Sequence, residues 1–317
     1  MTNASLHLPL RAAIALVLIL VLAPLPSSGW GAEGHLMINQ IAASYLPKDM
    51  PKFFRGAQAR LEYLASEPDR WRDKQDVQLN DAQSPEHFID LERVDWMAEF
   101  PRDRWQFVHA LYDKRATAAN PDELLPERVG LLPYQTIEVY QRLRNAFRQY
   151  RRLIGGHQPT EAVEQDIIFY AGWLGHYVGD TSQPLHTTIH YDGWVGPNPN
   201  GYVVHMEPTP SAPGLHWKFE TAFVAANIKT EDVTPYMHPV QRLGEPFQDY
   251  LRFLRGSHSR VEKLYQLDKA KAFDGAGTPE GKQFVAEDLA AGAQMLANMW
   301  YTAWLESAET EPKKEKQ

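Results

Sequence analysis

A histidine and an aspartate one helical turn apart, with a second histidine just past a proline, make up the stretch His176-Tyr-Val-Gly-Asp180-Thr-Ser-Gln-Pro-Leu-His186. Residues i and i+4 share a helix face about one turn of rise apart, so His176 and Asp180 can present donors to one ion. Pro184 ends the helix and turns His186 back toward the same place. Burying two imidazoles and a carboxylate unpaired is costly, and an ion held by nitrogen and oxygen donors removes that cost. On these residues alone, all three converge on a single ion.

Further donors follow in order along the chain. Trp30 and His35 lie in Trp-Gly-Ala-Glu-Gly-His, Asp69 in Ser-Glu-Pro-Asp-Arg-Trp-Arg, which ends at Arg72, and His87 opens His-Phe88-Ile-Asp90. His216 and Glu220 repeat the i, i+4 pair. A lone helical histidine is more often a satisfied core or surface residue; two such pairs flanking Gln-Pro-Leu-His are far more specific. His109, His157, His238 and His258 have no ligand partner at useful spacing, whereas His190 and His205 sit in a long loop and are within reach of the site. The chain has no cysteine, which excludes a disulfide framework, a zinc ribbon and a thiolate nucleophile. A formal net charge of -8 argues against a general electrostatic grip on long nucleic acid, so a phosphate must be attracted locally.

Helices must position these donors. Helical apolar spacing predicts helices over 34–45, 58–66 (stopping before Pro68), 134–154 (ended by Gly155-Gly156) and from Thr160 through the His176–Asp180 pair. The pattern fails from Thr187 to Gly214, where glycines and prolines mark a long loop of the kind that often carries function. Helices resume near Leu215, over 246–264 and over 281–306. No strand alternation or internal repeat is evident, so the expected fold is a single all-α domain. The stretch 95–130, rich in aromatic and charged residues, reads only as helical packing. The ends read differently. Arg11 followed by the apolar run Ala12–Ala23 and by Ser27 and Gly29 reads as a cleavable signal peptide over 1–29, too short an apolar run to span a bilayer comfortably. The domain is expected over 30–308, with a disordered charged tail over 309–317. The mature protein is therefore expected to be secreted or periplasmic, with no transmembrane segment and no obligate protein partner.

The combined set Trp-Gly-x-x-Gly-His, Asp-x-x-Arg, His-Phe-Ile-Asp, His-Tyr-x-Gly-Asp-x-x-Gln-Pro-Leu-His and a final His-x-x-x-acid resembles the three-zinc phosphodiesterases: the single-strand-specific nucleases of fungi and plants and the bacterial zinc-dependent phospholipases C. The resemblance implies three Zn2+ ions. One is held by Asp69, His87, His176 and one oxygen of Asp180. A second is held by the Trp30 amine and carbonyl, His35 and the other oxygen of Asp180, and a third by His186, His216 and Glu220. His186 then serves a different ion from His176, unlike the single-ion reading. Trp30 at the predicted cleavage point fits a terminal amine ligand, since an α-amino group of pKa about 8 is readily deprotonated by a metal. The resemblance further implies attack on phosphorus by a hydroxide shared by the first two ions, oriented by Asp69, with the third ion stabilising the leaving alkoxide. Arg72 would clamp the phosphate, Phe88 and Asp90 would stack on and hydrogen-bond a base, and Asn200 would contact substrate.

The short Trp30–His35 spacing and Arg72 favour the nuclease branch, acting on single-stranded DNA and RNA to leave 5'-phosphates, with 3'-nucleotidase activity as an accompanying expectation. Glu220 in place of aspartate, and Gly-Pro-Asn-Pro-Asn200-Gly201-Tyr202 in place of Gly-Gly-Asn, depart from that branch. Phospholipase C therefore stays open as an alternative, with Trp194 and Tyr202 available to stack on a base or to cage a choline by cation–π attraction. A zinc-stabilised binding protein without catalysis is the third reading.

Overall fold

The computed structural model describes residues 30–205 and 214–308; the expected signal segment 1–29 and charged tail 309–317 lie outside the described residues. Among the described residues the protein is all-α, with no strand and one isolated bridge between Trp194 and Val204. Its principal helices are α1 (Gly31–Ser44), α2 (Gln58–Leu64), α3 (Val77–Gln83), α4 (Arg104–Arg115), α5 (Leu132–Gly155), α6 (Glu161–Ser182), α7 (Pro246–His258), α8 (Val261–Lys269) and α9 (Pro279–Glu306). Among the described residues no helix is long and apolar enough to cross a membrane.

Several boundaries follow directly from side-chain chemistry. Pro279 follows Thr278, whose hydroxyl accepts the Gly281 N–H at 3.1 Å to open α9. Glu245 caps α7 in the same way ahead of Pro246. Asp103 accepts the Gln106 N–H at 2.9 Å to start α4. At the other end of α6, Gln183 adopts an extended conformation before Pro184, and its side chain accepts the Leu185 N–H at 2.6 Å. The helix thus stops where the proline predicts, and the chain turns sharply into Leu185-His186.

The single helix expected over 246–264 is two helices, because the chain breaks at Ser259-Arg260. The helix expected over 58–66 ends at Leu64, and Pro68 opens a new short turn, Glu67–Arg70, instead of merely ending one. Within 95–130, Arg104 at the start of α4 reaches Glu86 at 3.2 Å and Gln135 at 2.9 Å. That segment is therefore pinned to the residues next to His87.

Helix α6 is the axis of the molecule. It packs against α5, α9, α1, α2 and α7, and its C-terminal half is buried almost without interruption from Ala171 to Ser182. Three glycines make this possible. A Cβ on Gly172 would stand 2.3 Å from the Leu64 side chain, on Gly175 1.9 Å from Asn39 Oδ1, and on Gly179 2.7 Å from His35 Nδ1. The backbone of α6 therefore lies directly against side chains of α1 and α2. Asn39 exploits the close approach by donating to the carbonyls of Leu61 and Gly172, at 2.8 and 3.2 Å. This seam brings His35 on α1 beside His176 and Asp180 on α6.

Candidate metal centre

Each donor has its own anchor. Asp69 lies on the short Glu67–Arg70 helix, His87 at the end of the 3-10 turn Ser84–His87, and His186 in the turn Pro184–Thr187. His216 lies on Leu215–Trp217, and Glu220 on the π-helical segment Lys218–Phe223 that continues it.

Three donor clusters result: His35, His176 and Asp180; Asp69, His87 and His176; and His186, His216 and Glu220. His176 Nε2 is 3.0 Å from His87 Nδ1 and 3.3 Å from Asp180 Oδ2, which is 3.2 Å from His87 Nδ1. Asp69 Oδ1 is 3.8 Å from His176 Nε2 and 4.0 Å from His87 Nδ1. His35 Nε2 is 3.1 Å from the Trp30 nitrogen and 3.4 Å from Asp180 Oδ1. In the third cluster His216 Nε2 is 3.2 Å from His186 Nε2 and 2.9 Å from Glu220 Oε2, with His186 to Glu220 at 3.4 Å.

These separations suit a small tetrahedral cation. Ligand bonds of about 2.0–2.1 Å give tetrahedral edges of roughly 3.3 Å. Both oxygens of Asp69 and of Asp180, together with His35 Nδ1 and His87 Nε2, are buried without a hydrogen-bond partner. Orphaned carboxylate oxygens in a dry site are expensive unless an ion takes them. Asp180 also stands in the last turn of α6, where the helix dipole disfavours an anion and favours a cation. The residues present therefore fit zinc: the donors are nitrogen and oxygen, converging and buried.

Carbonyl groups set the tautomers. His176 Nδ1 donates to the Ala65 carbonyl at 2.8 Å, His186 Nδ1 to His87 O at 2.7 Å, and His216 Nδ1 to Tyr191 O at 3.0 Å. Because a carbonyl can only accept, each bond leaves the Nε2 lone pair facing its cluster. Burial pushes His176 well below the ordinary histidine range and His87 down to about 4, so both are neutral, as a ligand must be. Burial also lowers His186, but Asp180 and Glu220 outweigh it and raise His186 to about 9. A proton there occupies the place that a cation would take. Burial lifts Asp69 to about 7, with His35 and Arg72 opposing. Despite burial, the imidazoles around Asp180 hold its carboxyl well below the usual carboxylate range.

A cavity of about 480 Å³ opens onto the second and third clusters. Its wall contains Arg72, Phe88 and Asp90, as well as His87, His186 and His216. Arg72 Nη1 lies 3.7 Å from Asp69 Oδ1. Phe88 is half-buried, and the buried Asp90, raised to about 6 by desolvation against the pull of Arg93, accepts from Arg93 Nε at 2.8 Å.

Asn200 does not join them. It is exposed outside this wall, where its amide donates to Tyr202 Oη at 3.2 Å and Glu262 Oε1 at 3.1 Å. The loop is instead tied to α8, where Glu262 accepts from Asn200 and Tyr202 and Lys269 donates to the Asn200 carbonyl. Trp194 and Tyr202 are likewise engaged within the loop. The His190 ring stacks on Trp194 at 4.1 Å, Trp194 Nε1 donates to Pro197 O, and Trp194 and Tyr202 both pack on Tyr265. His190 and His205 join no cluster: His190 accepts the Val195 N–H, and His205 Nδ1 meets the Asp192 carbonyl at 3.2 Å.

Two groups of site residues escape a reading based on donors alone. The first is Gly172, Gly175 and Gly179, whose three- and four-residue spacing on one helix is the visible signal of a close helix approach. The second is Asp192, whose carboxylate accepts the His216 N–H at 2.8 Å while the neighbouring Tyr191 carbonyl orients the ring. Asp192→Ala is expected to weaken ion binding at the third cluster about 10-fold or more, with the other two clusters retained. Zinc content after graded chelation measures it.

The S1/P1 nuclease family profile matches residues 30–311. A 201-residue stretch is 25% identical to a probable serine protease of Bradyrhizobium tropiciagri, covering 56% of this chain and 24% of that protein. The chain thus spans about a quarter of the length of that curated relative. Among solved structures, the alpha toxin of Clostridium absonum is similar at 15% identity and TM-score 0.41, over 90% of this chain and 66% of the toxin. The alpha-toxin of an avian strain of Clostridium perfringens is similar at 14% identity and TM-score 0.34, over 89% and 64%. The chain spans just under two thirds of both toxins.

Proposed function

Since the chain belongs to the S1/P1 nuclease family, we propose that it is an exported zinc-dependent nuclease that hydrolyses single-stranded DNA and RNA to 5'-phosphates. The observation that carries this reading is the grouping of histidine and carboxylate donors into three largely buried clusters, with the two oxygens of Asp180 facing His35 on one side and His87 on the other and with His87, His186 and His216 in the wall of one cavity. Asp69, His87, His176 and Asp180 Oδ2 would hold one ion, Trp30, His35 and Asp180 Oδ1 a second, and His186, His216 and Glu220 a third.

Bound zinc supplies a water acidified to a pKa of about 7 and neutralises charge on a phosphoryl group. The chain's own residues do the rest. Asp69, with both oxygens free of hydrogen bonds, accepts and aims a proton-bearing nucleophile. Arg72 presents a guanidinium to a phosphate oxygen beside Asp69. Phe88 offers a face for a base, worth about 1–3 kcal/mol, and Asp90 offers a carboxylate to the base edge.

Export remains an expectation drawn from 1–29. The probable serine protease name belongs to a protein about four times the length of the matched stretch and does not carry over. The phospholipase reading draws on Glu220, the acid of the third cluster, and the nuclease reading is further set back by the altered loop Gly196–Tyr202. The engagement of Trp194 within its loop bears equally on both readings, since the same ring was expected to stack on a base or to cage a choline.

The test is direct. Purified protein beginning at Trp30 degrades single-stranded DNA and RNA, and a chelator stops it. Hydrolysis of phosphatidylcholine to diacylglycerol with no action on nucleic acid would give the site to the phospholipase alternative.

A further inference from the structure

Three arginines line the cavity, and they are not equivalent. Arg72 faces Asp69 at the ion clusters. Arg93 is held by Asp90 at 2.8 Å and by Glu123 at 3.1 Å. Arg128 is exposed in the same wall, and among the described residues its guanidinium donates no hydrogen bond and forms no ion pair. Its immediate neighbour Glu127 also lines the cavity and is exposed, yet does not pair with it.

The backbone that carries Arg128 is rigid. The Asp90 N–H donates to Val129 O at 2.7 Å, the Leu132 N–H to Phe88 O at 3.2 Å, and the Arg128 N–H to Leu125 O at 2.8 Å. Between them Gly130, at φ +90°, lets the chain pass so close to Phe88 O that a Cβ would stand 2.1 Å from it. Arg128 is thus the neighbour of Val129, whose carbonyl ties this turn to the Phe88–Asp90 segment. The protein keeps a guanidinium without a direct ion pair in the same wall as Phe88, although the chain as a whole carries a net charge of -8.

We propose that Arg128 anchors a second phosphate of the bound strand, on the nucleotide adjoining the scissile one, and so makes the cavity selective for polynucleotides over substrates with a single phosphate. This rests on the nuclease reading of the same site. A guanidinium fork matches a phosphate bidentately, and Arg72, beside the ions, is already committed to the scissile group. A mononucleotide or dinucleoside monophosphate has no phosphate to offer Arg128.

The experiment compares a thymidine tetranucleotide with the dinucleoside monophosphate of thymidine, using wild-type protein, Arg128→Ala, Arg128→Glu and Arg128→Lys, all zinc-loaded. For Arg128→Ala, kcat/KM on the tetranucleotide is expected to fall about 10-fold more than on the dinucleoside monophosphate, chiefly through KM. Arg128→Glu is expected to fall further and Arg128→Lys to recover part of the loss. The slope of log kcat/KM against log salt on the tetranucleotide is expected to be shallower by about 0.7, the loss of one phosphate contact on a single strand. Equal losses on both substrates, or none on either, overturn the assignment while leaving the nuclease reading intact. Wild-type protein that cleaves neither substrate but hydrolyses phosphatidylcholine vesicles overturns the nuclease reading, and the role of Arg128 with it.

Discussion

Replacing Asp180 with alanine is expected to empty two ion sites together and to lower hydrolysis by about 10³-fold or more. The carboxylate faces His35 through Oδ1 at 3.4 Å and His87 and His176 through Oδ2 at 3.2 and 3.3 Å. No other residue contributes to both clusters through separate oxygens. Zinc analysis of purified Asp180→Ala is expected to find one ion per chain, retained by His186, His216 and Glu220. His186→Ala is expected to do the opposite, losing chiefly the third ion. Loss of a single ion from Asp180→Ala would show that the clusters are filled independently and that the shared carboxylate is not a bridge.

The second large effect falls on a residue that binds nothing. Gly175→Ala is expected to destabilise the protein by about 2–4 kcal/mol, because the new Cβ would stand 1.9 Å from Asn39 Oδ1. Asn39 is fully buried and cannot yield without giving up its bonds to Leu61 O and Gly172 O. Displacing α1 from α6 also moves His35 away from Asp180, so zinc affinity is expected to fall along with stability. Gly256→Ala is the control. It lies inside α7, exposed, with open space where the Cβ would go, and is expected to gain about 0.5–1 kcal/mol from helix propensity. Thermal or denaturant unfolding with and without chelator measures both. If Gly175→Ala unfolds like the control, the seam is looser than its geometry indicates.

The donor set was legible because metal ligation restricts residue types and spacing so tightly. Of the nine expected ligand residues, eight fall in the three groups of close atoms described above, and the Trp30 nitrogen lies 3.1 Å from His35 Nε2; their role as ligands is the proposal. The all-α class was equally legible in the apolar periodicity. What stayed hidden depends on contacts between distant parts of the chain. Gly175 is read locally as a weak point in a helix, and its value appears only when Asn39, 136 positions earlier, is seen to occupy the space it leaves. The loop around Asn200 was read by its place in the sequence, but bonds to Glu262 and Lys269 and a cluster of aromatic side chains hold it against α8. Arg128 lay in a segment with no donor pattern, and only the backbone bonds to Phe88 and Asp90 place it at the cavity.

A cavity wall that is already folded does not have to be ordered by its substrate. His190, Trp194, Tyr202 and Tyr265 hold the 187–205 loop together by ring contacts of their own, and the hydroxyl of Tyr265 receives the Gly193 N–H and donates to His190 O. The conformational entropy of this loop is therefore lost when the protein folds, not when a strand binds. Residues 187–205 then add no ordering penalty of their own to the binding of a ligand at Tyr191 and Asp192 in the cavity wall.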